Sequence, residues 1–369
     1  MRKLRLATFV PAAILLSSAI GGPVFGQTAT ATTATATGPT AVAPYEVTVF
    51  ARGIPGKLTA PDSIAQVGNH VFIGYGDNHA PDGSDGLSTQ VVEYRLDTGA
   101  LVHIYTVPGH NDGLKLDPCT GLLWALQNED ANANLVIINT VTQQTKEYKL
   151  GTSLNGGGYD DIAFRDGKVY LSASNPQLNP NTGPAIVTAE LGSVSVDVKT
   201  ALAGDANAID LPTDATVQLN LQDPDSMTTD PLGNIVLDSQ GDQELIIISN
   251  PGAPNQTVLH LPLTYHSNDG VARVEVDDTN FATSTSGYFL VADKNLNAVY
   301  AIHKKAFAPG AAYTAADGAH FVGALDMSTG FITPVVTGLS DPGGLVFVDT
   351  SGTPQSTALA CGVPSSASN

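Results

Sequence analysis

Short runs in which apolar and polar residues alternate recur along most of the chain, and clusters of Gly, Pro, Asn and Asp separate them. EVTVFAR (46–52), GLKLD (113–117), ELIIISN (244–250), HFVGALD (320–326) and FITPVVTG (331–338) are of this kind. A period of two, with β-branched and aromatic residues on the apolar positions, predicts strands with one buried face. No long stretch carries the 3.6-residue period of an amphipathic helix. The pattern therefore predicts an all-β chain of many short strands.

A phrase precedes many of these runs: Pro, Asn or Asp, then Asp, then a small or apolar residue. It reads Pro61-Asp62-Ser63-Ile64, Asn111-Asp112-Gly113-Leu114, Asp160-Asp161-Ile162-Ala163, Pro224-Asp225-Ser226-Met227 and Asn268-Asp269-Gly270-Val271. A sixth copy, Pro342-Gly343-Gly344-Leu345, has Gly in place of Asp. One copy would be ordinary turn chemistry. Six copies, 44 to 74 residues apart, have the period of propeller blades. The second unit shows the blade most fully, with strands at Gly113–Asp117, Leu122–Leu126, Leu135–Asn139 and Thr145–Leu150. The fifth carries an insertion, Phe307–Gly318, and the sixth lacks an outer strand. Glu46–Arg52 has no blade of its own and can supply that strand. The expectation is a six-bladed β-propeller of four-stranded antiparallel blades over residues 45–363, closed by an N-terminal strand.

Each Asp of the phrase opens an innermost strand, so the Asp residues gather on one face of the disc. The ends of the second strands return to that face. They include Gly76-Asp77-Asn78-His79, Gln127-Asn128-Glu129-Asp130 and Asp293-Lys294-Asn295. Carboxylates converging on one axis repel one another, and a hard cation with oxygen ligands relieves that repulsion. Asp62, Asn111, Asp112, Asp161, Asp225, Asn268 and Asp269 form the candidate ligand set, with Ca²⁺ as the candidate ion. The alternative is that these Asp side chains cap backbone N–H groups two residues on, with no metal.

The inner-strand openings, notably Pro61-Asp62-Ser63, Asn111-Asp112-Gly113, Pro224-Asp225-Ser226 and Asn268-Asp269-Gly270, resemble those of the senescence-marker-protein/gluconolactonase-like propellers. NHL-repeat, strictosidine-synthase-like and paraoxonase-type propellers share the pattern. The resemblance implies a divalent cation at the channel mouth, usually calcium. It also implies polarisation of a lactone or ester carbonyl, with a nearby carboxylate or His handling the proton. Asp225 and His110 are the candidates for that role. The chain departs from the pattern at Asp62, where the gluconolactonase-like members carry Glu in an E-G-P phrase, and at Gly343, which offers no ligand. His79 and His266 are the other histidines expected on this face. There is no G-x-S-x-G, P-loop or H-E-x-x-H motif. Asn155–Asp161 (NGGGYDD) is glycine-rich but precedes a strand, and reads as a turn.

Charge narrows the partners. Sixteen Lys and Arg stand against 35 Asp and Glu, a net charge of −19. Phosphate-rich partners and anionic membranes are disfavoured, so a small-molecule ligand or substrate is expected and nucleic acid is not. Residues 1–26 have a basic start, a short apolar stretch and a Val24-Phe25-Gly26 cleavage site, the form of a signal peptide. Cleavage would deepen the charge to −22, with no membrane attachment afterwards. Residues 27–44 read as a Thr/Ala-rich linker and 364–369 as a disordered tail. A secreted or periplasmic monomer is expected. Cys119 and Cys361 are either a single disulfide or two separate thiols. Two functions fit this reading: a metal-dependent lactonase or esterase-type hydrolase, or a non-catalytic propeller that binds a small molecule or protein on the same face.

Overall fold

The computed structural model describes residues 38–352 and 358–361; the expected signal peptide, most of the Thr/Ala-rich linker and the tail lie outside the described residues. The described residues are almost wholly strand and turn. They form antiparallel groups of four strands. The first group runs Pro61–Val67, His70–Tyr75, Ser88–Arg95 and Leu101–Pro108. The second runs Asn111–Leu116, Leu123–Gln127, Asn134–Asn139 and Gln144–Leu150. The third starts at Ile162–Arg165 and the fourth at Pro224–Thr229. In each, the first strand is innermost and touches the first strands of its neighbours.

The last two groups are interleaved in sequence. The fifth begins with the three-residue strand Thr279–Phe281. The chain then leaves it to build Gly287–Asp293, which pairs with the inner strand Pro342–Asp349 of the sixth group, and Ala298–His303, which pairs with Gly287–Asp293. It returns to the fifth group through Ala312–Ala316, Phe321–Asp326 and Phe331–Thr337. The stretch read as an insertion, Phe307–Gly318, thus contains the second strand of the fifth group. Glu46–Arg52 pairs with Ala298–His303 as the outer strand of the sixth, where the sequence pattern put it.

Apolar clusters fill the spaces between consecutive groups. Val71 and Ile73 of the first pack against Leu290, Val299 and Val348 of the sixth. Leu114, Leu123 and Ala125 pack against Phe72, Val91 and Tyr105. An aromatic cluster of Tyr45, Phe289, Phe307, Tyr313 and Phe347 joins the fifth to the sixth. Burying both faces of each sheet explains why the second and third strands read as nearly continuous apolar runs such as LVIIN (135–139).

Outer edges are covered in several ways. Lys149 and Leu150 pair in parallel with Ser195 and Val196, joining the second and third groups. The hairpin Asn207–Asp210/Ala215–Gln218 lies along the outer strand of the fourth group, and the hairpin Thr264–Ser267/Gly270–Arg273 along that of the fifth. Thr40 and Ala41, at the end of the expected linker, also pair with the fifth group. Such coverage removes edges that would recruit other strands. Cys119 and Cys361 form the single disulfide, with Cα atoms 5.5 Å apart. It ties the short helix Ala358–Cys361 to a turn of the second group.

His260 fastens the first of these hairpins. Its Nδ1 is 2.9 Å from Asp210 Oδ1 on the hairpin, and its Nε2 is 2.8 Å from Glu244 Oε2 on the fourth group. Arg273 lies 3.8 Å from the same Glu244 oxygen. Burial pushes the imidazole pKa down, but hydrogen bonds and charge from Glu244 and Asp210 outweigh it, so the value is raised. A raised folded pKa gives stability that is complete below the ordinary value of about 6.5 and lost as pH rises through the folded value. His260→Gln is therefore expected to cost about 1.5 kcal/mol in urea unfolding at pH 5.5, and markedly less at pH 9.

Candidate functional site

Strand register fixes which acidic residues share a level on the axis. Ile64 pairs with Ile73, Leu114 with Ala125, Ile162 with Leu171, Met227 with Leu237, Thr279 with Thr314 and Leu345 with Val291. Two residues before these positions stand Asp62, Asp112, Asp160, Asp225, Asp277 and Gly343. One residue before them stand Ser63, Gly113, Asp161, Ser226, Asp278 and Gly344. The acidic mouth therefore has two layers.

In the outer layer, one side is neutralised internally. Lys294, just after the strand Gly287–Asp293, places Nζ 3.1 Å from Asp62 Oδ2 and 3.3 Å from Asp277 Oδ2. Burial raises Asp62 to about 7 and Asp277 to about 6, although Lys294 pulls both down. Gly343 makes room for this arrangement. A Cβ there would lie 2.8 Å from Asp62 Oδ1 and 3.1 Å from Lys294 Cε. Gly343→Val is expected to displace the ammonium and cost about 1–3 kcal/mol in thermal or urea unfolding.

Among the described residues, no such ammonium is in hydrogen-bond contact with the other side of the layer. One carboxylate oxygen each from Asp112, Glu129 and Asp160 lie within 4.8 Å of one another. Burial, then neighbouring negative charge, raises Asp112 and Asp160 well above the usual carboxylate range, and burial raises Glu129. Asp112 is hydrogen-bonded to Glu129, and Asp160 to Asp225. Burial and mutual repulsion both favour the protonated form of these carboxyls. Asp225 is raised for the same reasons.

Glu129 reaches this position through its loop. Asn128 takes a left-handed conformation (φ 63°), and its Oδ1 accepts the His110 N–H at 2.8 Å. The Asn128 N–H in turn donates to the His110 carbonyl. Gly158 then packs directly on the Glu129 carbonyl, only 2.0 Å from where a Cβ would sit. The Ser174 hydroxyl donates to the same carbonyl. The glycine-rich NGGGYDD segment, read as a turn, is thus the seat on which Glu129 is brought to Asp160.

The inner layer serves the fold. Asp161 Oδ2 accepts the Met227 N–H at 2.8 Å, and Asp278 Oδ2 accepts the Leu345 N–H at 2.8 Å. Each caps the next inner strand. Lys115 Nζ lies 2.8 Å from Asp161 Oδ2. Burial lowers the Lys115 pKa, but Asp161 and Asp278 outweigh it and keep the ammonium charged. The capping weighed from sequence is of N–H groups two residues on; Asp161 and Asp278 instead cap the N–H of the neighbouring inner strand. Among the described residues, no backbone N–H is found donating to the carboxylates of Asp62, Asp112, Asp160, Asp225 or Asp277.

Several expected site residues stand elsewhere. Asp161 is one residue too deep, and Asp160 takes the place on the outer layer. Asn111 is fully buried between the first two groups; its Nδ2 donates to the Leu126 carbonyl at 3.0 Å. Neighbouring residues on a strand face opposite ways, so Asn111 cannot join Asp112. Asn268 and Asp269 are exposed in the turn of an outer hairpin, where the Asp269 N–H donates to Ser267 Oγ at 3.2 Å. Asp277 and Asp278 open the fifth inner strand instead. His266 lies on that same hairpin and meets Phe331 edge to face. His110 does reach the mouth, feeling the charges of Asp62, Lys294 and His79, and burial lowers its pKa. His79 lies 3.4 Å from Asp85 in the adjoining loop.

No family model matches the sequence, and no curated protein matches it. Solved structures are similar in fold at low identity. Virginiamycin B lyase from Staphylococcus aureus shares 12% identity over 77% of this chain and 86% of its own, with a TM-score of 0.45. A streptogramin B lyase shares 11% over 82% and 91%, with a TM-score of 0.44. A gluconolactonase-family protein shares 13% over 81% and 83%, with a TM-score of 0.45.

Proposed function

We propose that the four-stranded groups are the blades of a six-bladed propeller closed by Glu46–Arg52. We further propose that the exported protein binds a divalent cation at the acidic mouth of its channel and hydrolyses a small lactone or ester there. The observation that carries this reading is the convergence of Asp112, Glu129 and Asp160 within 4.8 Å, opposite the side that Lys294 neutralises. The donor set fits the ion. It consists of carboxylate oxygens from two inner strand openings and one loop, with no Cys or His, which suits a hard cation such as Ca²⁺ better than zinc. The buried walls raise the cost of leaving these charges uncompensated. The disulfide supports an oxidising compartment and hence export.

A bound cation would supply Lewis acidity toward a carbonyl oxygen. The chain's own residues do the rest. Asp112, Glu129 and Asp160 hold the ion, and Asp225 steadies Asp160 through their shared hydrogen bond. Lys294 fixes Asp62 and Asp277, so they do not compete for the ion. His110, neutral near pH 7 because burial lowers its pKa, can take a proton from an attacking water.

Calorimetric titration with CaCl₂, followed by a panel of lactones and esters, tests the proposal. Saturable binding with calcium-dependent turnover, slowed by His110→Gln at unchanged calcium affinity, is expected. Binding without turnover across the panel would favour a non-catalytic small-molecule binder on the same face. Absence of calcium binding overturns the cation site.

A further inference from the structure

A second cavity lies at the other end of the inner strands. Its walls come from later residues of those strands than the acidic layers do, among them Ile64, Phe164, Met227, Phe281, Leu345 and Phe347. Its volume is about 730 Å³. That is within the range of about 300–1,000 Å³ usual for small-molecule sites. Ala360, beside the disulfide-held Cys361, completes the wall near the mouth. Ile64 and Lys115 line both this cavity and the small chamber between the acidic layers, so they form the partition between the two ends of the channel.

We propose that this cavity is a separate binding site for an uncharged, predominantly apolar small molecule. Its size and mainly apolar lining set the class of ligand, and its charges exclude both signs. An anion would find only one ammonium at the inner end, Lys115, already held at 2.8 Å by Asp161 and backed by Asp278 and Asp238. A cation would meet that same ammonium. The carboxylate at the rim, Asp349, is engaged by Ser284 Oγ at 2.9 Å and the Ser351 N–H at 2.7 Å. Gln66, Thr228 and Asn280 place amide and hydroxyl groups on the wall and can orient a ligand bearing a few polar atoms. None of these residues belongs to the cation site, so this inference stands independently of the proposed hydrolysis.

The test uses the full chain and the neutral dye N-phenyl-1-naphthylamine. Saturable fluorescence enhancement with one site per chain is expected, undisturbed by calcium. Thr228→Trp and Gln66→Trp, which fill the cavity from different strands, should each weaken dye binding at least about tenfold, a change of about 1.4 kcal/mol. Both variants should keep wild-type calcium affinity. A crystal soaked in 1-bromonaphthalene should show bromine in the cavity, and this readout does not depend on either variant folding. The proposal is overturned if no saturable binding occurs, if calcium competes with the dye, if both folded variants bind it normally, or if the bromine sits elsewhere.

Discussion

Lys294→Met is expected to lower the unfolding free energy by about 3–5 kcal/mol, the largest effect of any single substitution at the site. The change leaves Asp62 and Asp277 facing each other with their shared ammonium gone. Both carboxylates are almost wholly buried, at 5% and 7% exposure, so water is a poor substitute for the lost partner. Urea unfolding should show a lower midpoint with an unchanged slope, the mark of lost stability rather than altered compactness. Adding Asp62→Asn to Lys294→Met should recover a substantial part of the loss, because it removes one of the two stranded charges. If Lys294→Met unfolds like wild type, the ammonium does not hold this side of the ring together.

Glu129→Gln is expected to weaken calcium binding at least about tenfold, since ligand charge sets calcium affinity. In the wild-type protein, calcium at about 100 times its dissociation constant should add about 2.7 kcal/mol of stability. At the same calcium concentration the variant should show much less. Asp161→Asn makes the opposite prediction. It weakens the cap on Met227 and the pair with Lys115, so stability should fall while calcium affinity stays near wild type. Thermal unfolding with and without calcium separates these outcomes.

The sequence pattern revealed the strands and the recurring inner openings because both rest on local chemistry. Alternation and turn residues are visible one segment at a time. Asp62, Asp112 and Asp225 were identifiable for that reason. The fifth opening was not, because its inner strand has only three residues and the chain then departs to build part of the next group. The phrase Asn268-Asp269-Gly270 is an ordinary hairpin turn that imitates an opening, with Gly270 at φ 119°. Choosing between Asp160 and Asp161 required the pairing of Ile162 with Leu171, a one-residue matter of register.

The most informative residues were hidden by distance along the chain. Glu129 and Lys294 stood in segments already placed on the acidic face, but nothing local paired Lys294 with Asp62, 232 residues away in sequence. Lys115 left one signal: a cation inside the alternating run GLKLD of an inner strand, where burial demands a partner. The charge of −19, which first served to exclude nucleic acid, thus includes a buried group whose two halves are handled differently. One half is held by the chain's own ammonium, and the other is the place of the proposed cation.

That division is tested most directly by anomalous diffraction from crystals grown in CaCl₂. One strong calcium peak bounded by Asp112, Glu129 and Asp160 is expected, with Lys294 still between Asp62 and Asp277. A map with no calcium at those three carboxylates, or with calcium in the place of the Lys294 ammonium, would contradict it.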